Sequence, residues 1–246
     1  MNVAEKVLQL KQDFDDVYAA GKAAGGGSGD YDQGYEDGKN SVVPLERYAT
    51  NISFSNLNVF GTEKAEINLD SATNLSGFCY AEKAENANTK VKELTINCPN
   101  AVTSINRLLS CEWAGRNQIL SKVILNIDTS KCSNFAFAFG NNIALETIDG
   151  QPLNFGAASN AYNMMNIFTG CNTLKSFRVV SNSVKYNFNI ATSKLLDTET
   201  IQSIIDGLAD LTCSTAQTLT LHATVGSKLT DEQKATITAK NWELVY

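Results

Sequence analysis

VKELTI at residues 91–96 and LSKVIL at 120–125 decide the reading of this chain. Each puts an apolar residue three positions ahead of a short β-favouring triplet: Val91 before Leu94-Thr95-Ile96, and Leu120 before Val123-Ile124-Leu125. In an extended strand, Leu94 and Ile96 share one face while Thr95 points away. The same phrase returns at Leu145 before Ile148 and at Leu174 before Phe177-Arg178-Val179. Steps between Val91, Leu120, Leu145 and Leu174 are 29, 25 and 29 residues. A self-repeat of this period gives one short strand and one return segment per unit, each burying its apolar pair against its neighbours. Strands are expected near 67–69 (Ile67-Asn68-Leu69), 94–96, 123–125, 177–179 and 218–221.

The return segments are patterned as well. Ile105-x-x-Leu108-Leu109, Phe135-x-Phe137-x-Phe139 and Met164-Met165-x-Ile167-Phe168 read as core filling. Each precedes a polar corner: Ser110-Cys111, Gly140-Asn141-Asn142 and Gly170-Cys171-Asn172. Gly and Asn suit tight, left-handed turns. Towards the C-terminus, Asp197 with Ile201, Ile204, Ile205 and Leu208 predicts an N-capped helix. Thr218-Leu219-Thr220-Leu221 reads as a strand, Thr230 and Gln233 as a capping box, and Asn241–Tyr246 as a closing strand.

Phe168-x-Gly170-Cys171-x-x-Leu174-x-x-Phe177 resembles the corner-and-strand phrase of BspA-like leucine-rich repeats. Leu69-Asp70-Ser71-Ala72-Thr73 and Ile127-Asp128-Thr129-Ser130 resemble that family's strand-then-loop phrase. The ending TLTLHATVGSKLTDEQKATITAKNWELVY (218–246) is similar to the terminal module of repeat proteins encoded by tailed phages and prophages, where it comes after a coiled-coil start and a Gly/Tyr segment such as GYEDGK (34–39). The resemblance implies an α+β repeat fold. Its parts are a coiled-coil oligomerisation or anchor helix at 1–24, a Gly/Tyr-rich hinge at 25–50 and a leucine-rich-repeat solenoid at 51–246, with an α/β cap at about 195–246.

The N-terminal expectation also rests on spacing. Val3, Val7, Leu10, Phe14 and Val17 keep a 4-3-4-3 pattern, the seam of a coiled coil, over a helix roughly 30 Å long. So short a seam is marginal alone and calls for copies of itself or a host assembly. Gly25, Gly26, Gly27 and Gly29 around Ser28 form the hinge that decouples the helix from the rest of the chain.

Composition excludes several classes. The 246 residues are 43% hydrophobic and 19% charged, ordinary for a folded domain. A net charge of −6, a pI ≈ 4.9 and no Lys/Arg cluster argue against duplex nucleic acid and anionic membrane as partners. No apolar run is long enough to span a bilayer, and the N-terminus lacks a signal-peptide core. Cys79, Cys98, Cys111, Cys132, Cys171 and Cys213 are widely spaced with no C-x-x-C, and His222 is the sole histidine. No metal site, cofactor or disulfide framework is expected. Gly34-x-x-x-Gly38-Lys39 is one residue short of a phosphate loop, and Asp30/Asp32 lack the rest of a calcium loop. His222 reads as structural, lying in a strand by the last helix, and the pairs Glu5/Asp13 and Asp128/Glu146 share no recognisable pocket, so no enzyme is expected.

The functional expectation is a non-enzymatic phage virion protein of the tail tip, baseplate or fibre, assembled in the host cytoplasm. Its partners would be itself, as a homotrimer through the N-terminal helix, other virion proteins and a host cell-surface glycan or protein. The alternatives are a head or neck decoration protein, or a bacterial surface adhesion or interaction protein.

Overall fold

The structure is a computed structural model that describes residues 43–47, 62–69, 72–81, 88, 90–111 and 119–246. Strands β1 (Val43–Arg47), β2 (Lys64–Leu69), β3 (Glu93–Ala101), β4 (Lys122–Asp128) and β5 (Thr147–Gly150) form one sheet in chain order. Every neighbouring pair is parallel. The register lines up Ala65, Leu94, Val123 and Ile148 in one row, and Ile67, Ile96 and Leu125 in the next. All seven are buried, as strict alternation along each strand requires.

The opposite face of this sheet is polar and internally paired. Asn97 Nδ2 donates to Asn68 Oδ1 at 2.6 Å and to Glu66 Oε1 at 2.7 Å, and Asn126 Nδ2 donates to Asn97 Oδ1 at 2.7 Å. Lys64 pairs with Glu93 and Lys122 with Asp149, both at 3.1 Å. Such exposed pairs each contribute about 0–1 kcal/mol, so they set cross-strand register more than stability.

The last pairing of β5 with β4 requires a glycine. Gly150 has φ +94, and a Cβ there would stand 2.4 Å from the Leu125 carbonyl oxygen. Only glycine fits that approach of β5 to β4. A second sheet contains β6 (Phe188–Asn189), β7 (Gln217–Thr220) and β8 (Trp242–Val245), also parallel. Helices α1 (Thr198–Gly207), α2 (Ala223–Gly226) and α3 (Asp231–Ala239) flank it in sequence. Asp197 caps α1, its Oδ1 accepting from Thr200 N–H at 2.7 Å, and Thr230 with Gln233 closes the capping box of α3.

These findings correct the expected α+β leucine-rich-repeat solenoid. The described residues form two small parallel sheets with three helices, and no strand lies between Gly150 and Phe188. No continuous strand forms at 177–179: isolated parallel bridges pair Ser176 with Thr147 and Val179 with Leu153 on one side, and α1 lies where a strand would on the other. Phe177 N–H donates to Thr200 Oγ1 at 3.4 Å and Val179 N–H to Ser203 Oγ at 2.9 Å. Gly207 lets the helix close on Val179: a Cβ there would lie 2.4 Å from Val179 Cγ1. Side-chain hydroxyls thus satisfy amides that a ladder would otherwise pair, and the edge is covered by a helix. Among the described residues there is no coiled coil. The expected seam (Val3, Val7, Leu10, Phe14, Val17) and hinge glycines (Gly25, Gly26, Gly27, Gly29) lie outside them. Within the span read as hinge, residues 43–47 are a strand of the first sheet.

One apolar core runs from Ala65 to Trp242. Phenylalanines carry it across the strandless stretch. The Phe155 ring centroid is 4.7 Å from Phe135 and 5.5 Å from Phe188, and Phe168 lies 5.5 Å from Phe139, 4.7 Å from Phe177 and 6.2 Å from Phe188.

Candidate functional site

The return segments stack beside one another through their backbones. Gly77 N–H donates to Asn106 O at 2.7 Å, Arg107 N–H to Ala136 O at 3.0 Å and Phe137 N–H to Met165 O at 3.1 Å. This register sets Gly77, Arg107, Phe137 and Asn166 in one column. All four are left-handed, with φ of +65, +52, +58 and +56. Glycine and asparagine tolerate that conformation, whereas an arginine or phenylalanine held there is strained by roughly 1–2 kcal/mol.

The two strained residues stack with a third. The Arg107 guanidinium carbon lies 5.5 Å from the Tyr80 ring centroid and 5.5 Å from that of Phe137. A cation between two ring faces is held by their quadrupoles. Tyr80, Arg107 and Phe137 are half-buried, and on neighbouring return positions Met165 is 36% and Tyr162 67% exposed. The amides nearby are engaged: Asn106 Nδ2 donates to Ala136 O at 2.8 Å, and Asn166 Oδ1 accepts from Thr169 Oγ1 at 3.0 Å. The result is a surface strip of aromatic, sulfur and guanidinium groups on an acidic protein.

Sequence reasoning misassigned this strip. Period-two spacing puts Phe135, Phe137 and Phe139 on one face and predicts all three in the core. The left-handed turn at Phe137 breaks the alternation: Phe135 and Phe139 are buried and Phe137 is turned out. Met165 is likewise exposed beside the buried Met164. Arg107 and Tyr80 carry no sequence signal of their own, and only the thirty-residue offset from Gly77 to Arg107 to Phe137 could have aligned them.

Other residues considered from sequence have structural roles. His222 lies outside any strand and caps α2, its Nδ1 accepting from Thr224 N–H at 3.1 Å. Asp128 and Glu146 are not brought together. Asp128 accepts from Ser130 N–H at 2.8 Å and Oγ at 3.0 Å, and the backbone bond, then the hydroxyl, hold its carboxyl below the usual range. Glu146 pairs with Lys175 at 2.8 Å. Glu5 and Asp13 lie outside the described residues. No group of three His, Cys, Asp or Glu side chains is arranged to hold a metal among the described residues.

All six cysteines are reduced thiols; five are buried and Cys213 is exposed. Cys98 Sγ donates to Ala72 O at 3.2 Å and Cys171 Sγ to Phe139 O at 3.1 Å, so these thiols tie neighbouring segments. Burial pushes Cys132 and Cys171 up to about 12 and also raises Cys98. A thiol reagent at pH 8 is therefore expected to modify Cys213 alone at a fast rate, the other five reacting only on unfolding. Peptide mapping after a short pulse checks this; rapid labelling of Cys171 would contradict its packing.

No family model, curated protein or solved structure matches the chain.

Proposed function

We propose that this chain is a non-enzymatic component of a tailed-phage particle, at the tail tip, baseplate or fibre, joined to other virion proteins through its first forty residues and presenting the Tyr80–Arg107–Phe137 strip to the host surface. The observation that carries the reading is the strained pair Arg107 and Phe137. Neighbouring positions of the column hold Gly77 and Asn166, residues that accept the left-handed backbone readily. Large side chains kept there against backbone preference, stacked and partly exposed, are what a contact surface requires. The sequence resemblance of the C-terminal module and of GYEDGK to phage-encoded proteins supports the particle as the setting.

Arg107→Asn with Phe137→Asn tests it, because Asn166 already occupies the equivalent position. The double variant is expected to fold with stability within about 1 kcal/mol of the parent, as relief of backbone strain offsets lost stacking. Particles carrying it should incorporate the protein normally and adsorb to host cells at least tenfold more slowly. Adsorption at the parental rate would sink the strip as the contact surface. Deleting residues 1–24 should have the converse effect, a folded protein that no longer joins the particle.

A further inference from the structure

The turn between α3 and β8 reaches back to the end of α1 with three consecutive side chains. Lys240 Nζ donates to the carbonyls of Ile205, Asp206 and Leu208 at 2.9, 3.3 and 2.8 Å. Asn241 Nδ2 donates to Leu211 O and Ser214 O, both at 2.9 Å. Trp242 Nε1 donates to Ala209 O at 2.9 Å. The Ile205 and Asp206 carbonyls belong to the last turn of α1 and also accept from Leu208 N–H at 3.3 Å and Asn182 N–H at 3.0 Å, respectively; the ammonium adds a further donor there and meets the negative end of the helix dipole.

Apolar packing holds α3 much less firmly than α1. Five residues of α1 are buried, Thr200, Ile201, Ile204, Ile205 and Gly207, whereas α3 buries only Ile237. The unit is further held by the short β7–β8 ladder, backbone bonds from Leu211 N–H to Lys240 O and from Leu221 N–H to Val245 O, buried Trp242, Leu244 packed on the core, Tyr246 against Gly226 and an exposed Gln233–Gln202 hydrogen bond. Asn241 is left-handed, φ +61, and this aims the three side chains back at one stretch of backbone.

We infer that Lys240, Asn241 and Trp242 form a strap that latches α3 and β8 to the end of α1, and that this C-terminal unit opens by itself ahead of the five-stranded sheet. Segments with little buried apolar surface are the ones that open locally, so the polar strap governs how often this one does.

Native-state hydrogen exchange on the full-length protein tests the inference, comparing peptides from 231–246 with peptides from 93–128. Two variants weaken the strap differently. Lys240→Met keeps the aliphatic stem and removes the ammonium. Asn241→Gly keeps the left-handed turn and removes the amide, so folding is preserved. Both should accelerate exchange across 231–246 by about tenfold or more while 93–128 stays at the parental rate. Equal acceleration in both regions would show one cooperative unit and overturn the inference. Unchanged exchange of 231–246 in both variants would overturn the strap.

Discussion

Leu125→Asp is expected to remove a large part of the protein's stability at neutral pH. Leu125 is fully buried in β4, between Ile96 of β3 and Gly150 of β5. A carboxylate there has lost its water, and the inward row around it is apolar. The cost is about 3 kcal/mol or more, a large part of the whole stability of a domain this size. The effect has a pH signature. Burial raises the folded-state pKa of the new carboxyl above its unfolded value, so the folded state binds the proton more tightly. The deficit is therefore smallest below the unfolded pKa and grows as pH rises through the folded one. Urea titrations at pH 4 and pH 7 measure both quantities, with Lys131→Asp as an exposed control that should stay within about 0.5 kcal/mol of the parent. A variant that unfolds at the parental urea concentration would mean that Leu125 does not face the core.

Phe168→Ala should cost about 3–5 kcal/mol, although Phe168 lies in no strand or helix. Its ring is fully buried and touches Phe139, Phe177 and Phe188, drawn from three different parts of the chain. Removing it opens a cavity where the core passes from the first sheet to the second. The stretch between Gly150 and Phe188 contains no strand and is tied to its neighbours by isolated bridges, Leu153–Val179 and Val184–Leu208 among them, so phenylalanine packing adds to those backbone bonds at the junction. Combining Phe168→Ala with Phe188→Leu should show a coupling of about 0.5–1.5 kcal/mol, the value of an aromatic pair beyond its buried area. Chemical denaturation of the two single variants and the double variant measures it. Strict additivity would mean that the two rings act separately and that the sheets are joined elsewhere.

Much of the first sheet was legible in the residues. The strands around Leu94, Val123 and Ile67 could be read because period-two alternation and the recurring apolar residue three positions ahead are local properties of a buried strand. Capping at Asp197 and Thr230 was legible for the same reason, since a cap is satisfied within three residues. The strand at 177–179 was misread although Phe177-Arg178-Val179 has the same local pattern. What a strand needs besides pattern is a continuous backbone ladder; there the pairing is reduced to isolated bridges at Ser176 and Val179 on one side, and Thr200 and Ser203 of α1 take the amides on the other. No pattern within 174–180 records it.

The candidate strip was illegible for a related reason. Phe137 belongs to an alternating Phe-Ala-Phe-Ala-Phe run, and alternation is a reliable guide only while the backbone stays extended. One left-handed residue reverses the direction of its side chain, and φ at a non-glycine position is set by what surrounds it.

By itself, then, the sequence determined which residues are apolar in strand register, where α1 and α3 begin, and that the charge balance is acidic. These are properties of one short segment at a time, fixed by side-chain chemistry and the two-residue period of extended backbone. Tertiary structure alone decided that the strands divide into two sheets, that α1 hydroxyls take up the amides of Phe177 and Val179, that Phe137 and Arg107 turn outward beside Tyr80, and that Lys240 reaches carbonyls some thirty-five residues away. Each of these depends on which distant groups complete a backbone hydrogen bond or fill a space, and such partners are chosen only when the chain has folded.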